Sequence, residues 1–182
     1  MKYIFIDLEA TGLDPEADDI IEIGALKVED GDVTGTFSFL LHREGDLPEI
    51  ITQITGITAE ELCASPHDPA KVLTELRDFV GDLPLIGHNI EGFDARFLDR
   101  YYRAYLGTEL QNPLVDTLSA SRVTEPFINA ERHRLSYLAE MVGVDATNAH
   151  RALEDCYLTL SVAKAMWGEN LNIPTLTKGL AA

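Results

Sequence analysis

The sequence predicts an α/β domain with a central sheet covered on both faces, on three observations. The first 41 residues contain three runs rich in β-branched and aromatic residues, joined by short polar turns. The later segments carry helix-spaced apolar residues, most clearly over 68–80 and 151–167. Two short apolar runs, at 84–88 and 114–116, stand between those helices as further strands. At 182 residues the chain fits one domain with a sizeable core.

The first strand places Tyr3, Phe5, Asp7 and Glu9 on one side and Ile4, Ile6 and Leu8 on the other. Both sides are apolar up to Asp7, which marks a central strand. It ends by presenting two carboxylates on one face, roughly 6–7 Å apart. Buried charge is costly unless paired or metal-bound. The plain alternative is an exposed strand end before the turn at Thr11-Gly12. A polar turn over 14–19 leads to a second strand at 20–28, and the turn at 29–32 leads to a third at 33–41, an antiparallel meander. Glu22 interrupts the second run. It reads as an outward or strand-edge residue, with a further site carboxylate as the alternative.

Short helices follow at 48–55 and 58–62, parted by Gly56-Ile57. The helix at 68–80 shows Val72, Leu73, Leu76, Phe79 and Val80 at helical spacing. Asn89 to Asp94 opens another helix, with an apolar stripe of Phe97, Leu98, Tyr101, Tyr102 and Tyr105. Asp94 lies on its inward face and needs a partner. His88 reads as a turn residue rather than a ligand. Asp116 is placed to cap a helix starting near Thr117. Residues 124–133 contain Pro126 and read as a mobile loop, and 135–142 as a helix ended by Gly143. The last helix, 151–167, buries Leu153, Cys156, Tyr157, Leu160, Ala163 and Trp167, with Lys164 at the stripe's edge. Asp155 sits in its first turns. His150, five residues earlier, can share a site with Asp155 only from the loop just before the helix. Residues 170–182 read as a loosely held tail.

Composition narrows the function. Fourteen basic against 31 acidic residues give a net charge of −17, which argues against broad duplex binding but not against holding a few nucleotides through cations. No apolar run approaches about 18 residues, so no membrane partner is expected. The N-terminus lacks the features of a secretory signal. Cys63 and Cys156 show neither metal spacing nor disulfide density. They read as small buried hydrophobes in a cytoplasmic protein.

Asp7, Glu9, Asp94 and Asp155, with His150, stand out as candidate catalytic residues. Four converging carboxylates repel one another and raise each other's pKa. Hard divalent cations with oxygen ligands resolve this. Two ions about 3.5–4 Å apart suit in-line displacement at phosphorus, and a neutral imidazole can accept the proton of water. The residues therefore point to metal-dependent phosphodiester hydrolysis, although convergence itself is not visible in a sequence.

Three ordered motifs resemble those of the DnaQ-like (DEDDh) 3′–5′ exonucleases, a family that includes the proofreading subunit of bacterial replicative DNA polymerase. They are Asp7-Leu8-Glu9-Ala10-Thr11-Gly12-Leu13, the segment from Gly87 to Leu98 containing Asp94, and His150-Arg151-Ala152-Leu153-Glu154-Asp155. Thr55-Gly56-Ile57-Thr58 belongs to the same likeness. The resemblance implies an RNase H-like α/β fold: a mixed five-stranded sheet, its first three strands antiparallel, flanked by helices. It implies an exonuclease domain over 1–169, with 170–182 as a C-terminal tail. It assigns Asp7 to bridge two metals (Mg²⁺ or Mn²⁺), Glu9 and Asp155 to the metal serving the attacking water, Asp94 to the second metal, and His150 to the general base. It also places Thr11, Gly12, Leu13 and Ile57 against the 3′-terminal nucleotide, and Asn89 and Phe93 in the channel for the next one. Arg96, Arg100, Arg103, Arg132 and Arg134 read first as solvated surface, with contact to phosphates as the alternative. The expected partner is the 3′ end of a single strand, with association with a polymerase or a helicase. Oligomeric state is not encoded in any of these features. Endonucleolytic cutting and a non-catalytic binding domain are the competing readings.

Overall fold

Alternation along β1 (Lys2–Ala10) decides the layering, because both of its faces are apolar and both must be covered. The computed structural model describes residues 1–147 and 149–174. In it β1 pairs antiparallel with β2 (Ile20–Glu29), and β2 pairs antiparallel with β3 (Asp32–Leu40). β4 (Leu85–Gly87) and β5 (Leu114–Asp116) add in parallel on the other side, giving the order β3-β2-β1-β4-β5. The mixed five-stranded sheet with an antiparallel first half is the fold expected.

Ile4, Ile6 and Leu8 face a layer built by α3 (Pro69–Val80) and α4 (Asp94–Tyr101), with Val72, Leu73, Leu76, Phe97 and Leu98 in the same core. Tyr3 and Phe5 face α7 (Ala152–Trp167), where Cys156, Leu160, Ala163 and Trp167 complete a second core. α6 (Leu135–Met141) packs outside α7 through Leu138, Leu158 and Val162. α1 (Glu49–Thr55) and α2 (Ala59–Ala64) cover the end of β2, with Ile57 and Leu62 against Ile21. α2 begins with a full capping box between Thr58 and Glu61. α5 (Thr117–Ser121) is capped by Asp116, as expected.

Several expectations are corrected by packing that a one-dimensional pattern does not carry. α4 passes into a π-helical turn at Tyr102–Leu106, and the wider turn swings Tyr105 out of the stripe into solvent. Tyr157 is exposed too, because the buried arc of α7 extends toward α6 through Leu158 and Val162 instead. Residues 124–133 are irregular but anchored, since Phe127 is fully buried against Leu138 and Leu158. Cys63 is exposed, as Leu62 is the residue that α2 buries; Cys156 is buried as expected. The start of the expected loose tail is packed: Leu171 and Ile173 join the core under α7, and Tyr3 donates its hydroxyl to the Leu171 carbonyl at 3.2 Å. The remainder of that tail, 175–182, lies outside the described residues.

Candidate active site

β1 delivers Asp7 and Glu9 to the end of the sheet, and a register shift between Glu9 and Ala10 breaks the β1–β2 ladder there. Such irregularities re-aim side chains at strand ends. β4 pairs with β1 only at Ile4 and Phe5. Further along, the Leu8 N–H donates to Asp94 Oδ1 at 3.0 Å. That bond is the partner Asp94 requires, and it fixes the start of α4 to β1 at a buried position.

His150 lies in the loop just before α7, as the shared-site argument demands. Its backbone is left-handed, with φ of 76°, and its N–H donates to Asp155 Oδ2 at 3.2 Å. Glu9, His150 and Asp155 each offer a ligand atom, and these atoms lie within 4.8 Å of one another. Asp7 and Asp94 stand outside that trio and join it electrostatically. Burial, then Asp94, Asp155, Glu9 and Glu22 in that order, raise the Asp7 carboxyl well above its usual range. Burial, then Asp155, Glu22 and Asp94, push Glu9 up to about 8, against a lowering by Arg151. Asp94 rises to about 7, chiefly through burial; its own N–H and that of Leu8 oppose the rise, while Asp116 and Asp155 add to it. Asp155 is raised by burial and lowered by its contact with His150. Carboxylates from three separate elements thus charge one small volume, and a cation relieves that repulsion.

The donor set fits a divalent ion. Asp155 Oδ1 is buried and, among the described residues, has no hydrogen-bond partner, so it is available as a ligand atom. Carboxylate oxygens match the hard divalent metals.

The expected substrate residues divide. Leu13 is 84% exposed beside the site strand. Thr11 is buried, its hydroxyl donating to Asp18 Oδ1 at 3.1 Å and accepting from the Asp19 N–H at 3.0 Å. A Cβ on Gly12 would come within 2.4 Å of Asp18 Oδ2, so the turn closes tightly on that carboxylate. Ile57 is only 1% exposed and sits in core with Ile21 and Leu62, which leaves its side chain no face for a base. Asn89 is exposed in a left-handed turn, and its N–H is held by Asp116. Phe93 is half-buried against the Phe97 ring at 4.8 Å. His88 is a cross-link, bonded to the Thr117 hydroxyl and the His133 carbonyl.

Sequence reasoning misjudged one residue at the site. Glu22 is neither outward nor on an edge; it is 2% exposed on an interior strand, directly across from Glu9. It accepts from Arg151 and from the Ala152 N–H at the start of α7. Its signal was a lone acid inside an apolar run. Beside the site, a cavity of about 620 Å³ is lined by Arg122, Arg132 and Arg134 as well as His150 and Asp155, so two arginines assigned to open surface border the cleft. Among the described residues no helix is long and apolar enough to cross a membrane.

Comparison with known proteins bears on the family and the fold. Residues 4–163 match the RNase_T family model, described as exonuclease. The DNA polymerase III subunit epsilon of Aquifex aeolicus is 34% identical, over 97% of this chain and 90% of that protein. A PolC-type DNA polymerase III from Staphylococcus haemolyticus is 37% identical over 84% of this chain, which spans only 10% of that protein. A zinc-bound complex of E. coli ExoI with single-stranded DNA superposes with a TM-score of 0.78 at 24% identity, over 90% of this chain and 40% of that one. That last likeness is one of fold.

Proposed function

Because the chain belongs to the DnaQ-like 3′–5′ exonuclease family, we propose that it removes nucleotides from the 3′ end of single-stranded DNA or RNA and releases 5′-mononucleotides. The observation that carries this reading is the approach of ligand atoms of Glu9, His150 and Asp155 to within 4.8 Å of one another.

Asp7, Glu9, Asp94 and Asp155 are the residues assigned to hold two divalent ions, Mg²⁺ or Mn²⁺. Bound ions would supply the positive charge that makes water nucleophilic and steadies the leaving oxygen. His150 is assigned to accept the proton of the attacking water. Its exposed position at the cleft gives it access to water. Leu13 offers an exposed apolar surface for the terminal base, and the tight turn at Thr11 and Gly12 keeps it there. Phe93 and Asn89 are assigned to the next nucleotide. Ile57 belongs to the core with Ile21 and Leu62 rather than to the surface that meets the base.

Two of the relatives are DNA polymerase III components, which supports association with a polymerase; a helicase partner rests on the family alone. Two unpaired cysteines suit a cytoplasmic setting. The test is digestion of matched 5′-labelled DNA and RNA oligonucleotides with Mg²⁺ or Mn²⁺. A ladder shortening from the 3′ end, abolished by chelator and by Asp7→Ala, is expected. Cutting of a circular single strand would replace the exonuclease reading with an endonuclease one.

A further inference from the structure

We propose that Glu22 is a positioning residue for His150, acting through Arg151 and the first N–H of α7. The proposal rests on the assignment of His150 as the base.

Glu22 is a charged side chain in the core, and all of its hydrogen bonds run to one place. Arg151 Nε reaches both carboxylate oxygens at 3.2 Å, Arg151 Nη2 reaches Oε1 at 2.7 Å, and the Ala152 N–H reaches Oε2 at 2.9 Å. A fork of this kind fixes orientation as well as charge. Both Glu22 oxygens are therefore occupied by N–H donors. Asp155 differs: among the described residues its Oδ1 has no hydrogen-bond partner.

The second observation is independent of charge. Two residues along β2, a Cβ on Gly24 would lie 2.4 Å from the Ala152 carbonyl carbon and 2.4 Å from the Leu153 nitrogen. The first turn of α7 is thus pressed onto the bare backbone of β2, directly beside the Glu22 bonds. His150 precedes this anchored point by two residues. Its left-handed φ of 76° is unfavourable for a side-chain-bearing residue and persists only where the surroundings impose it. On one side its N–H is tied to Asp155; on the other its successor is tied to Glu22. The exposed imidazole is held at the cleft by a carboxylate on the far side of Arg151 from it.

The test uses Glu22→Gln, which keeps an acceptor for the Ala152 N–H but removes the charge facing Arg151, and Arg151→Ala, which removes a half-exposed side chain and leaves the buried Glu22 carboxylate with the Ala152 N–H alone, so the folding of both is checked by circular dichroism. Each is expected to lower kcat about tenfold or more while KM for a single-stranded oligonucleotide stays within about twofold, the signature of a lost transition-state interaction. The double variant is expected to be no more than about twofold worse than the poorer single one, because the two residues form one unit. In a His150→Ala background, Arg151→Ala is expected to change the residual rate by less than about twofold, a result that a general structural role does not give. Should Glu22→Gln fail to fold by circular dichroism, Arg151→Ala alone decides. A kcat for Arg151→Ala within about twofold of the parent, or losses that multiply with His150→Ala, overturns the proposal while the base assignment stands. Full activity in His150→Ala removes the base assignment and this proposal with it.

Discussion

A residue that accepts a proton from water must reach solvent and still be held still, and His150 meets both conditions. Its imidazole is exposed, while its backbone N–H is bonded to Asp155. His150→Ala is expected to lower kcat by about 10²–10⁴-fold with little change in KM, measured by steady-state release of mononucleotides. The carboxylates make a second prediction through protons. Glu9 rises from 4.5 to about 8, and Asp94 from 3.8 to about 7, on folding. Across that interval the folded chain holds protons that the unfolded chain has released. Rising pH therefore favours unfolding, and the stability gained from these groups is lost between the unfolded and folded pKa values. The metal-free protein is expected to melt at a lower temperature at pH 8 than at pH 6. Saturating Mg²⁺ or Mn²⁺ is expected to remove most of that difference by neutralising the same charges. Calorimetry with chelator and with metal checks both halves.

α7 is the element on which core and site meet. Its apolar face covers Tyr3 and Phe5, its first turn carries Asp155, and its start lies against Gly24. Gly24→Ala drives a methyl group into the Ala152 backbone and is expected to destabilise the fold by about 1–3 kcal/mol, read as a lower urea midpoint. The sequence shows much of this layout. β1 declares itself by alternation, α7 by its stripe, and the loop position of His150 by a simple angle argument. What stays hidden depends on neighbours distant in the chain. Glu22 looks like a surface acid until Arg151, 129 residues away, is brought to it. Tyr105 and Tyr157 fit their helical stripes until a π-turn and a packing partner redirect those helices. The carboxylates can be picked out individually, but their convergence belongs to the sheet's register and to the Asp94 bond on Leu8.

At the scale of the whole molecule, a net charge of −17 opposes any polyanion, so attraction must be local. Contact with one or two phosphates of a single strand predicts a slope of log K against log salt no steeper than about −1.5. Titrating a non-hydrolysable oligonucleotide across salt concentrations, with metal fixed, measures it. The same architecture separates the segment around Leu171 from the chemistry. Leu171 is bonded to Tyr3, at the opposite end of β1 from Glu9, and six residues of strand set the two roughly 20 Å apart. A tether attached at the exposed Asn172, whether a fluorophore, a bead or a surface anchor, would depart from the side remote from the cleft. Single-molecule recording of strand shortening can use that handle without obstructing entry of the strand.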